Sequence, residues 1–173
     1  MQHTAIFDQI GVFERYLGQI AVLTHKASPQ QLEARLSDDG FSALEHFAIA
    51  QGYVLRALWP VMGRELPHLE DVTDGASLTE CGAAVLSLLS GLSEADFAGQ
   101  ESREIRHVAG EAQLTQSASE FFHEYAGPNF FFHMSQGYAI LRSKGAEIGK
   151  GDFDGFHSYP KGFSFVTSAA ETV

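Results

Sequence analysis

The chain has 173 residues, 45% hydrophobic and 19% charged, proportions of a single ordinary globular domain rather than of a disordered segment. Eleven Lys and Arg stand against 22 Asp and Glu, a formal charge of −11. That balance argues against a partner made of nucleic acid, which needs a basic face, and against docking on an anionic membrane. The lone Cys81 can form neither an internal disulfide nor a thiolate zinc cluster. No apolar run approaches the roughly 18 residues that span a bilayer, and the first residues lack the pattern of a signal peptide. A soluble, cytoplasmic protein is expected.

Ile6, Ile10, Phe13, Leu17 and Ile20 recur every three or four residues and predict a helix from about Thr4, its cap, to His25. Ser28-Pro29 breaks it, and a short helical turn or connector follows. After the turn at Asp38-Asp39-Gly40, a second helix should start near Ser42. It carries few charges and is apolar or small on nearly every side, so it should be buried. Pro60 and Gly63 end it, and a loop runs to Ala76. Ser77-Leu78-Thr79-Glu80 has the form of a capping box for a third helix, with Cys81, Val85, Leu88, Leu89 and Leu92 facing inward. Residues 103–114 form either a small hairpin with a glycine turn or plain loop. Ser117-Ala118-Ser119-Glu120 caps a fourth helix, which Gly127-Pro128 should kink and Gly145 should stop. The resulting fold is an all-α four-helix bundle over residues 1–155, with a possible β-hairpin between its third and fourth helices. Residues 156–173 form a tail whose aromatic residues should pack on the bundle or on a partner subunit.

Chemistry concentrates on the fourth helix. Asn129, His133 and Gln136 fall on one stripe, where a solvated face would use Lys and Glu. Buried polar groups need partners, so this stripe either lines a pocket for a metal or small molecule or forms a polar seam that fixes helix register. A second metal ligand would have to come from another helix, and His46 on the second helix is the candidate beside His133. Histidine suits Zn, Ni or Fe, while asparagine is a weak oxygen donor. Cys81 sits on an inner stripe and reads as a core residue rather than a nucleophile. Phosphate-loop, dinucleotide and nucleophile-elbow motifs are missing from the sequence.

The runs Pro128-Asn129-Phe130-Phe131-Phe132-His133, Tyr138-Ala139-Ile140-Leu141-Arg142 and Gly149-Lys150-Gly151-Asp152-Phe153 resemble the last helix and its exit in a bacterial family of domains of unknown function. That family lies within the DinB-like (YfiT-like) helical-bundle superfamily. Phe13-x-x-Tyr16-Leu17 and Ala34-Arg35-Leu36 agree with it. The resemblance implies a four-helix bundle that commonly forms homodimers. It also implies a divalent metal held by three histidines, one on helix two and a His-x-x-x-His pair on the last helix, and in some members thiol-dependent transferase or hydrolase activity. On this chain His133 takes the second position of that pair and Asn129 stands at the first. The helix-two ligand aligns at or near Ile49, with His46 one turn earlier. The expected function is therefore a DinB-like bundle with either an altered divalent-metal site (Zn, Ni, Mn or Fe) or no metal, binding a small molecule. The alternative is a non-enzymatic dimeric module whose polar seam is structural.

Overall fold

The apolar stripe that opens the chain folds in two pieces, α1 (Ala5–Asp8) and α2 (Ile10–Lys26), which part at Gln9. The computed structural model describes residues 5–160 and 162–164, so the cap expected at Thr4 lies outside the described residues. Ser28 caps the short α3 (Pro29–Glu33), with its hydroxyl accepting from the Gln31 N–H. Ser42 begins α4 (Ala43–Leu58) through a reciprocal box: its hydroxyl accepts from the Glu45 N–H, and the Glu45 carboxylate accepts from the Ser42 N–H. Eleven of the sixteen α4 residues are buried, as expected of a helix with little polar surface.

The third long helix, α5 (Gly75–Ser90), starts one turn earlier than Ser77 would place it. Asp74 is the cap, its carboxylate accepting from the Ser77 N–H while the Ser77 hydroxyl accepts from the Asp74 N–H. Val85 and Leu89 are buried on its inner face. Residues 103–114 do form a hairpin: β1 (Glu104–Ala109) pairs antiparallel with β2 (Ala112–Ser117), and Gly110 turns the chain at a φ of 61°.

Ser117 then caps the last long helix, which begins as α6 (Ala118–Glu120). It loosens into a π-helical stretch over Phe121–Ala126 and resumes as α7 (Gly127–Ser143). Proline at 128 has no N–H to donate, and the Gly127 N–H reaches back five residues to the Phe122 carbonyl. The predicted kink is thus absorbed as a wide turn. Gly145 ends the helix at a φ of 75°. A final short helix, α8 (Lys150–Asp154), lays Phe153 between Tyr16 (5.7 Å) and Tyr138 (5.3 Å) and ties Asp152 to Lys26 at 2.6 Å.

In the bundle α2 packs on α5, α5 on α4 and α4 on α7. The ring closes where Phe13 and Tyr16 of α2 meet Phe130 and Phe131 of α7, each at 5.0 Å. The core is a continuous apolar cluster with Phe47, Phe97 and Phe130 among its largest fully buried members. Among the described residues no helix is long and apolar enough to cross a membrane. In the C-terminal segment Phe156 lies under the Arg15 guanidinium at 4.1 Å, and Tyr159 stacks on Phe163 at 4.7 Å. The rest of the expected aromatic tail, from Phe165 on, lies outside the described residues.

Candidate functional site

The tightest helix contact in the bundle builds the site. A Cβ on Gly137 would lie 2.7 Å from the Phe47 ring, closer than such atoms approach. Glycine on α7 therefore lets α4 sit directly against it. His46 stands just before Phe47, and His133 stands one turn before Gly137, so the same contact brings their rings together. The two Nδ1 atoms are 2.9 Å apart, and the residues are 7% and 8% exposed. One Nδ1 must donate and the other accept, which requires at least one ring to carry its proton on Nε2.

Both rings favour the neutral state. Burial pushes His46 below its ordinary value, against a partial opposing pull from Glu45. Burial also drives His133 down to about 4, and the positive charges available on His46 and Arg56 push the same way. Neutral imidazole is the form that accepts hydrogen bonds and binds metals.

Aromatic side chains frame the pair. Phe41 and Phe132, 50% and 54% exposed, edge it on the solvent side. Tyr53 stacks on His133 at 5.7 Å with its plane tilted 23°, which fixes the imidazole plane. Arg56 lies over Tyr53 at 5.4 Å. The Tyr53 and Tyr125 hydroxyls stand 3.5 Å apart, long for a hydrogen bond. Burial and the Tyr125 hydroxyl raise the Tyr53 phenol to about 12, so it stays protonated. The hairpin adds His107, whose ring packs at 4.3 Å on Tyr125 and whose Nε2 meets Gln116 Oε1 at 2.8 Å.

Of the stripe read from the sequence, His133 joins a second helix, and the other two members do not share its role. Asn129 Nδ2 donates to the Tyr125 carbonyl at 2.7 Å, closing a turn beside the π-helical stretch, and its Oδ1 is left over. Gln136 is half-buried. On α4 it is His46 that meets His133, whereas Ile49, one turn on, packs against the core. Among the described residues the remaining histidines do other work or stand in solvent. His123 is exposed and bonded to the Ser119 carbonyl, His157 pairs with Asp154, and His68 is exposed. Burial raises the Cys81 thiol, which suits a core residue.

The donor set decides what metal chemistry fits. Two nitrogens in adjacent octahedral positions, each about 2.05 Å from an ion, stand about 2.9 Å apart. The His46–His133 separation of 2.9 Å matches that octahedral spacing and is also that of an N–H···N hydrogen bond, whereas a tetrahedral ion would need the two nitrogens about 3.3 Å apart. Among the described residues no group of three His, Cys, Asp or Glu side chains gathers to hold a metal. The pair therefore fits as two ligands of a site with open positions, and does not fit a three-histidine centre.

Known proteins agree with the fold. Residues 10–154 match the domain of unknown function DUF1993. The chain belongs to that family. Its fold is similar to the crystal structure of a DinB family member protein from Shewanella denitrificans. The two share 28% identity with a TM-score of 0.75, over 89% of this chain and 94% of the other. Comparison with curated proteins gives no match. DUF1993 membership and the DinB-like bundle thus accord with the helix count, the hairpin and the last-helix motif. The family description names no substrate.

Proposed function

We propose that this DUF1993 bundle binds a small molecule through a divalent-metal site of low donor number. His46 and His133 are its ligands, and the Phe41–Phe132 rim receives the organic part of the ligand. The observation that carries the reading is the convergence of two neutral imidazoles from different helices with their Nδ1 atoms 2.9 Å apart. A divalent ion there would supply Lewis-acid polarisation of a bound oxygen. The chain's own groups supply the rest: Tyr53 holds the His133 plane, and the two phenylalanines shield the pair from bulk water.

The test is metal content after incubation with Zn, Ni, Mn or Fe(II) in turn and exhaustive dialysis, on wild type, H46A, H133A and N129H. About one ion per chain is expected, lost in either alanine variant. N129H, which places an imidazole one turn before His133, should bind at least tenfold more tightly. If no ion is retained by folded wild type, the metal reading fails. The result would then favour a second reading, a non-enzymatic bundle in which the histidine pair only sets the register of α4 on α7. The hydrogen bond that already satisfies the two Nδ1 atoms supports this rival.

A homodimer is also proposed. Phe156 and Phe163 in the C-terminal segment are 68% and 48% exposed, and Phe41 and Phe132 add apolar surface. A concentration-independent species near the chain mass of 18.9 kDa in sedimentation would refute it.

A further inference from the structure

The two imidazoles of the histidine site are almost wholly out of solvent, so anything that reaches them must pass a cover. Phe41 stands with its ring 5.6 Å from His46 and 6.2 Å from His133. Phe132 shields the pair from the α7 side, 5.2 Å from His133 and 6.3 Å from His46. The two covers differ in what carries them. Phe132 belongs to α7, whose backbone is held close to α4 where Gly137 meets Phe47. Phe41 belongs to a loop, residues 36–41, in which Leu36, Ser37, Asp38 and Asp39 are exposed. Little burial holds that loop to the bundle, and such segments open at low cost.

The ends of the loop are pinned by backbone, while its tip is tied by one side chain. Arg35 and Ser42 form an isolated antiparallel bridge, and the Ala43 N–H donates to the Ala34 carbonyl at 3.0 Å. Within the loop the Gly40 N–H donates to the Ser37 carbonyl at 3.1 Å. Arg35 Nη1 donates to the Gly40 carbonyl, next to Phe41, and the same nitrogen meets Glu45 Oε2 at 2.7 Å. That carboxylate oxygen also accepts from the Ser42 N–H at 2.7 Å. Arg35 thus fastens the peptide before Phe41 to the first turn of α4. The Arg35 and Glu45 side chains are both partly exposed, so the tie is weak enough to break and re-form in solution. We infer that residues 36–41 are the entry gate of the histidine site, with Phe41 as its cover and Arg35 as the positioning residue that holds the cover shut. The inference rests on the reading of the pair as a ligand site.

The experiment measures how fast diethyl pyrocarbonate modifies His46 and His133 in the metal-free full chain, read by peptide mass spectrometry. The exposed His68 is the internal reference. R35Q should speed modification of the pair about fivefold, the scale of one exposed ion pair. F41A should speed it at least as much, and His68 should react at the wild-type rate in both. The double variant R35Q/F41A should be no faster than F41A, because a tie without a cover has nothing to hold. Sodium chloride at 1 M should bring wild type toward the R35Q rate and leave R35Q unchanged. Should R35Q fail to fold, the salt comparison in wild type and the F41A rate carry the same question. The inference is overturned if R35Q or F41A reacts at the wild-type rate, if the double variant shows the product of the two single effects, or if salt speeds R35Q as much as wild type. No metal enters this assay, so an unchanged rate removes the gate while metal uptake still decides the site.

Discussion

Substituting Gly137 by alanine tests the link between helix packing and the histidine pair. The added methyl would sit 2.7, 2.8 and 2.9 Å from three Phe47 ring atoms, and Phe47 is fully buried. Ordinary van der Waals contact begins near 3.4 Å, so α4 and α7 must separate by several tenths of an ångström or Phe47 must leave its rotamer. Overpacking of this kind costs about 1–3 kcal/mol. Replacing a mid-helix glycine by alanine returns about 1 kcal/mol in backbone entropy. The net expectation is a loss of roughly 1 kcal/mol. Gly52 supplies the control, because it lies on α4 and a Cβ there meets nothing within 4 Å. G52A should therefore gain up to about 1 kcal/mol. Urea denaturation measures both, and the His133 imidazole followed by NMR reports whether the pair has opened. G137A should bring the His133 pKa back toward its ordinary value as the ring gains water. A G137A protein more stable than wild type, with His133 titrating unchanged, would refute the argument.

Two further predictions concern the same elements. S42A removes the hydroxyl that accepts from the Glu45 N–H at the start of α4 and should lower the urea-derived stability by about 1 kcal/mol; a change under 0.3 kcal/mol would mean the cap is idle. In metal-free protein, His133 is held near 4 in the fold by burial first and by His46 and Arg56 next, against about 6.5 when unfolded. The unfolded chain then binds the proton that the folded one refuses. This contribution is present in full above pH 6.5 and lost as pH falls toward 4, reaching on the order of 2 kcal/mol between pH 7.5 and 5. Urea midpoints of wild type and H133Q across that range should converge as the pH falls, and parallel pH profiles would contradict the assignment.

What the sequence made legible was mostly local. A cap needs an oxygen and a partner three residues on, so Ser117 with Glu120 was readable directly, and Ser42 marked the start of α4 without its Glu45 partner being named. The start of α5 was not readable, because Asp74 and Ser77 each satisfy the same spacing. Packing decides between them: Gly75 lies against Leu32 and Thr24, where a Cβ would come within 3.1 and 3.3 Å, so the turn before Ser77 is held in the fold. The polar stripe of α7 was visible as a departure from both core and surface composition. His46 was the candidate partner from residue type and helix placement, but the direct approach of the two rings was not legible, since it depends on the rotation of two helices fixed by Gly137 and Phe47. Asn129 shows the limit most plainly. Its residue type suits a pocket, but its amide is occupied by a carbonyl beside a π-helical stretch that no periodicity announces.

That stretch also governs how chains of this kind can be compared. Each π-type hydrogen bond encloses one residue more than an α-type bond, so Phe121–Ala126 stores an extra residue within an otherwise continuous helix. Removing one residue there would tighten the turn to α and rotate everything after it by about 100° around the helix axis. His133 would leave the α4 face, and Phe130 and Phe131 would leave α2. Single-residue gaps inside this helix are therefore shape-bearing. An alignment that slides one across Pro128 equates residues from different sides of the bundle.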